Sequence, residues 1–136
     1  MQLIDSLVSN IKSNQVVDIL SLMNLTWSDD DTEKSAEEKV AEFYDDHSEK
    51  IFYCLYQDKE LIGYAESIPL TIKIESNCVA VLGLGGLNVH PNWRRQGFGR
   101  VIVGAVFKRI DASEYPFCLF QTGRPHFYEK LGCRVI

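Results

Sequence analysis

No apolar run in the sequence approaches the roughly 20 residues that a membrane-spanning helix needs. The N-terminus lacks a basic stretch followed by an apolar one, so no secretory signal is expected and the cytoplasm is the expected location. Cysteine is sparse and scattered. Cys54, Cys78, Cys118 and Cys133 form no CxxC pair and no Cys/His cluster, so no metal is expected, and four reduced, buried thiols are the simplest reading. Positive charge is also short: the net charge is −5, and no basic stripe exists outside residues 94–100. That disfavours nonspecific binding to nucleic acid. Two phosphate-binding patterns are missing as well. No Lys-Ser or Lys-Thr follows Gly97 or Gly99, and Gly83-Leu84-Gly85 fails the GxGxxG pattern because Gly86-Leu87-Asn88 follows.

What remains is a chain of 136 residues with 46% hydrophobic and 24% charged side chains, enough for one domain with a core of its own. Its informative stretch is Asn88-Val89-His90-Pro91-Asn92-Trp93-Arg94-Arg95-Gln96-Gly97-Phe98-Gly99-Arg100. Before it, residues 79–87 read as a buried strand loosened by glycine in its second half. After it, Val101, Ile102, Ala105, Val106 and Ile110 recur at helical spacing over residues 98–111. A strand, a glycine-bearing loop and a helix start make a phosphate cradle, because the first helical N–H groups have no internal partner and the dipole is positive there. Gly97 and Gly99 let ligand oxygens approach the main chain.

Arg94-x-x-Gly97-x-Gly99 after a strand ending Leu87-Asn88-Val89 resembles the acetyl-CoA motif of the GNAT superfamily of N-acetyltransferases. Gly85-Gly86-Leu87-x-Val89-His90-Pro91 looks like the subgroup that contains aminoglycoside 2′-N-acetyltransferases. Near the C-terminus, Phe127-Tyr128-Glu129-Lys130-Leu131-Gly132 resembles a second motif of that family, in the right order and separation. Proline at 125 and glycine at 132 bracket a short helix there. The resemblance covers about residues 50–136. It implies a mixed α/β (α+β) three-layer fold, with a mostly antiparallel central sheet and helices on both faces, in a single domain over 1–136.

The remaining segments support or strain that expectation. Leu3, Leu7, Val8 and Ile11, then Val16, Ile19, Leu20 and Met23, place apolar faces on a helix or helix pair over about 2–25. The family usually opens with a strand, and none is evident. Residues 28–50 carry ten acidic side chains against three lysines, a net −7 that leaves the rest of the chain at +2. Ala36, Val40 and Phe43 give this segment a helical face, with Thr32 or Asp31 as its cap. The acids are either a solvated helix face or a wall that attracts a cationic amine. Ile51–Gln57, Leu61 to about Glu75, and 79–89 read as three antiparallel strands joined by turns at Asp58-Lys59-Glu60 and Ser76-Asn77. Pro69 calls for a bulge or an edge. Phe117–Phe120 is a short strand, parallel to 79–89 across the intervening helix. Family members normally continue through one more strand after Ile136. That sheet edge is therefore expected to be cut short or covered by a partner, as in a homodimer.

The resemblance implies acetyl-CoA as co-substrate, a small-molecule or peptide amine as acceptor, and direct attack in a ternary complex. Arg94, Arg95, Gln96, Gly97, Phe98, Gly99 and Arg100 are expected to hold the pyrophosphate. The main chain of Leu87, Asn88 and Val89 is expected to hold pantetheine beside the glycine-softened strand, with the Leu87 amide polarising the carbonyl. Tyr128 is expected near the sulfur as general acid. Residues 79–89 contain no carboxylate, so the base is either Glu66 in the preceding strand or water. His90 caps a turn before Pro91 or takes part in catalysis; Trp93 and Phe98 pack around the loop. A CoA-binding or interaction module of weak activity is the alternative reading.

Overall fold

The computed structural model describes residues 1–7, 10–26, 35–44, 49–112 and 114–136. Five strands form one sheet in the order β1 (Gln2–Leu7), β2 (Ile51–Gln57), β3 (Glu60–Ile74), β4 (Asn77–Val89) and β5 (Cys118–Leu119). The first four run antiparallel, and β5 pairs parallel to β4. Helices α1 (Ser13–Thr26) and α2 (Ala36–Tyr44) lie on one face; α3 (Phe98–Asp111) and α4 (Pro125–Glu129) lie on the other. This is the expected mixed α/β three-layer architecture.

Strand alternation divides the core in two. Phe52, Cys54 and Tyr64 meet Ile11, Val16, Ile19 and Leu22 on the α1 side, with Val40 and Phe43 of α2 packed against them. Tyr53, Leu55, Ile62, Leu82 and Leu84 meet Ile102, Val103 and Val106 of α3 on the other. Ser67 and Tyr53 are both buried on the α3 face, where their hydroxyls lie 3.0 Å apart and Arg109 Nη1 donates to Ser67 Oγ at 3.0 Å. The α3 range matches the sequence reading, and Lys108 and Arg109 complete its last turn, where cations suit the helix dipole.

Several expectations need correction. Residues 2–7 form a strand, not part of a helix pair: six residues are too few for a stable helix, and pairing from Gln2↔Tyr56 to Leu7↔Ile51 satisfies their backbone along the edge of β2. The proposed caps Thr32 and Asp31 lie outside the described residues. The first turn of α2 is capped by Ser35, whose Oγ accepts from the Glu38 amide at 3.1 Å. Pro69 lies past Ser67, where pairing with β2 ends, so it occupies an edge of β3; the bulge falls earlier, opposite Ala65. Of the four free thiols only Cys54 is buried, while Cys78 near the tip of the β3–β4 hairpin is exposed. No described helix is long and apolar enough to cross a membrane.

Candidate active site

The irregular part of the sheet is in β4. Glu66 pairs with Gly85 and Tyr64 with Asn88, so Ala65 faces both Gly86 and Leu87. This extra residue makes a β-bulge, and Gly86 adopts φ +64°, a conformation that glycine takes without strain. The bulge places Leu87 outside the regular ladder. β5 pairs only with Leu82 and Gly83. From Leu84 to Val89 the outer edge of β4 therefore has no strand partner among the described residues.

Glycine in a central strand calls for a bulge or for something lying against the backbone, and β4 has both: the bulge at Gly86 and the side chains of β3. A Cβ on Gly83 would collide with Leu70 Cδ1 at 2.8 Å, one on Gly85 would stand 3.4 Å from Glu66 Oε1, and one on Gly86 would stand 3.2 Å from the Tyr64 ring. These glycines make room first for side chains of β3. The softening of the strand thus brings Glu66 and Tyr64 over the bulge on the α1 face.

Tyr64 is fully buried, and its hydroxyl donates to Glu66 Oε2 at 2.8 Å. Lys50 Nζ stands 3.8 Å from the other oxygen, Oε1, with both side chains only partly exposed. Sequence reasoning singled out Glu66 and missed Tyr64 and Lys50. The signal for Tyr64 is its spacing: two residues before Glu66 on one strand, it shares the same face. Lys50 reaches the site from the residue before β2, which no local pattern reveals.

Past Val89 the chain makes a single helical turn over Pro91–Trp93, and His90 Nδ1 accepts from the Asn92 amide at 3.1 Å. His90 is thus a turn cap, as its place before Pro91 suggests. Trp93 and Phe98 pack edge to face with centroids 6.0 Å apart. Arg95 has φ +65° and Gly97 φ +84°, so the main chain passes twice through the left-handed region before α3. The Val101 amide donates to the Gly97 carbonyl at 3.3 Å and opens the helical ladder. The amides of Phe98, Gly99 and Arg100 precede it and lie in the first helical turn. A Cβ on Gly97 would meet nothing within 4 Å. Arg94, Arg95 and Arg100 are exposed around this run, and Arg94 Nε donates to the Val89 carbonyl at 3.0 Å. Asn88 points to the α1 face, that of Tyr64 and Glu66, where its Nδ2 donates to the Leu22 carbonyl at 3.1 Å.

Helix α4 begins at Pro125 and ends in a turn at Gly132, φ +92°, where the Cys133 amide donates to the Tyr128 carbonyl at 3.0 Å. Tyr128 is buried on the α3 face against Phe120 and Phe127, with centroids 4.7 and 4.9 Å away. Burial, and then the neighbouring Cys133 and Cys118, raises its pKa above the ordinary tyrosine value, so the phenol keeps its proton at neutral pH. The structure therefore puts a carboxylate and a phenol on opposite faces of the sheet. A cavity of about 630 Å³ lies elsewhere, between α1, the β2–β3 turn and Trp93.

This arrangement, a bulged fourth strand with an open edge running into a glycine-bearing helix start, is that of an acyltransferase fold. The Acetyltransferase (GNAT) domain profile matches residues 8–136, and the chain belongs to that family. Among solved structures, an acetyltransferase of Trypanosoma brucei is 17% identical with a TM-score of 0.74, covering 99% of this chain and 94% of its own. The aminoglycoside 6′-N-acetyltransferase of Acinetobacter haemolyticus is 17% identical with a TM-score of 0.73, over 99% and 92%. An aminoglycoside acetyltransferase from an uncultured soil metagenomic sample is 13% identical with a TM-score of 0.72, over 99% and 91%. At these identities the likeness shows the fold. No curated protein sequence matches the chain.

Proposed function

We propose that the protein transfers an acetyl group from acetyl-CoA to a primary amine by direct attack in a ternary complex. The residues fit such a co-substrate. The run 95–100 offers the first main-chain N–H groups and the positive end of α3 to a pyrophosphate, with Arg94, Arg95 and Arg100 adding charge. The edge along Leu87–Val89, which no described strand covers although the Val89 carbonyl accepts from Arg94, suits an extended pantetheine arm, which would pair there as a strand does. The Leu87 amide, set free of the ladder by the bulge, is the donor for the acetyl oxygen.

The observation that carries this reading is the pairing of Glu66 with Gly85 beside the open edge of β4. It supports a reading in which the carboxylate would stand beside the thioester, on the α1 face, where an acceptor amine would approach. Glu66 would remove the ammonium proton, directly or through water, and Tyr128 would supply a proton to the departing thiolate from the other face. The GGL-x-VHP run further suggests an acceptor of the kind that aminoglycoside 2′-N-acetyltransferases use.

The test is to mix the protein with acetyl-CoA and a panel of amines, aminoglycosides included, and to follow thiol release. Release that depends on the amine, and that falls roughly 10- to 1,000-fold in Glu66→Gln, is expected. Binding of acetyl-CoA without release for any amine would favour the weak-activity module instead.

A further inference from the structure

We infer that Lys50 is itself an acetyl acceptor, so that the protein modifies its own chain when supplied with acetyl-CoA. The inference rests on the acetyl-CoA reading above. Its ground is the position of one amine. Lys50 Nζ lies 3.8 Å from Glu66 Oε1, and the two side chains are 23% and 19% exposed. The same Oε1 would stand 3.4 Å from a Cβ on Gly85, so the carboxylate lies over the bulge of β4. Tyr64 fixes the other oxygen at 2.8 Å. A primary amine thus waits beside the proposed base, on the acceptor face, at the strand that would carry the thioester. By contrast, Lys12, Lys59, Lys73, Lys108 and Lys130 are exposed. Holding a nucleophile next to its base and electrophile replaces a bimolecular encounter by an internal one, which is a large kinetic advantage.

The step balances without a further reactant. Glu66 takes a proton from the Lys50 ammonium, and the nitrogen lone pair attacks the thioester carbonyl. A C–N bond forms, the C–S bond breaks with its electron pair going to sulfur, and the thiolate takes a proton from Tyr128. The second proton shed by the nitrogen passes through solvent to restore the Tyr128 phenol, and Glu66 gives its proton up to water. The products are acetyl-Lys50 and the free thiol of CoA. The modified side chain is neutral, so Glu66 loses the cation now beside it and can receive the ammonium of an external amine.

The experiment incubates the intact protein with acetyl-CoA and no added amine. It follows each lysine by peptide mass spectrometry over time, with acetyl-CoA binding measured separately by calorimetry. Lys50 should be acetylated roughly tenfold or more faster than the exposed Lys59 and Lys73, whose rates report simple chemical acetylation. Glu66→Gln should slow labelling of Lys50 roughly 10- to 100-fold while leaving Lys59, Lys73 and acetyl-CoA binding unchanged. Lys50→Arg keeps the positive charge beside Glu66 and should leave no fast site. Equal labelling of all lysines with binding intact would overturn this inference alone. An absence of binding would overturn the enzymatic reading and this inference with it.

Discussion

Phe127 rests against the start of α3 so closely that a Cβ on Gly99 would stand 3.4 Å from its ring. The glycine-bearing loop and the C-terminal aromatic motif, 28 residues apart in the chain, are thus one contact in space. Gly99 has steric work to do for the protein itself. Gly97 has none, since a Cβ there would meet only open space, and its constraint is the positive φ.

The two glycines should therefore fail differently when replaced. Gly97→Glu puts an anion in the proposed pyrophosphate cradle and should abolish acetyl-CoA binding, with the fold retained at a cost of about 1–2 kcal/mol for the left-handed backbone. Gly99→Glu should abolish binding as well, but should also push on Phe127 and lower the melting temperature further. Calorimetric titration and thermal unfolding of both variants check this; retained affinity in Gly97→Glu would remove the cradle.

Tyr128→Phe keeps the ring that packs on Phe120 and Phe127 and removes only the hydroxyl. The maximal rate should fall roughly 10- to 100-fold with acetyl-CoA affinity nearly unchanged, because a thiolate leaves more readily than an alkoxide and needs less help. Steady-state kinetics alongside direct binding distinguish this from a packing defect. An unaltered rate would exclude an acid role for the phenol.

Asn88→Ala should destabilise the protein by about 1–2 kcal/mol. The Asn88 side chain is buried and donates to the Leu22 carbonyl, so its loss removes that bond in a dry setting. The urea midpoint is the measurement. A fall in stability without loss of acetyl-CoA affinity is expected, since only the main chain of Asn88 is proposed to meet the co-substrate.

Alkaline pH should weaken the fold through Cys54. Burial, with a smaller push from the Asp18 carboxylate, raises its thiol from the ordinary 9.0 to about 12. Above pH 9 the unfolded chain releases this proton while the folded chain holds it, so stability present below pH 9 is lost as the pH climbs towards 12. Cys118, pushed up to about 11 mainly by burial, adds to the same trend. Denaturant midpoints between pH 8 and 11 should decline less steeply in Cys54→Ala than in the parent protein. An equal decline would assign the effect to other groups.

The parts of the fold legible in the sequence are those set by short-range chemistry. The α3 range follows from its 3.6-residue periodicity and the glycine before it, and β2 and β3 follow from apolar runs separated by a turn. The edge strand at residues 2–7 was hidden because Leu3, Leu7 and Ile11 mimic a helical face; only the free edge of β2 decides otherwise. The glycines of β4 were legible as a sign of irregularity, but their neighbours Leu70, Glu66 and Tyr64 belong to another strand, and cross-strand register is not written in local pattern. For the same reason Glu66 could be named as a candidate while Lys50, two positions before its cross-strand partner Phe52, could not.

The division of the sheet into two differently furnished faces has a kinetic meaning. With Glu66 turned towards α1 and Tyr128 towards α3, the mechanism proposed above would bring amine and acetyl-CoA in from opposite faces, so that neither would have to clear the way for the other. Initial-rate patterns should accordingly converge on a random sequence of arrival, and a dead-end complex of spent CoA with fresh amine becomes accessible. Inhibition by excess amine is the outward sign of that geometry.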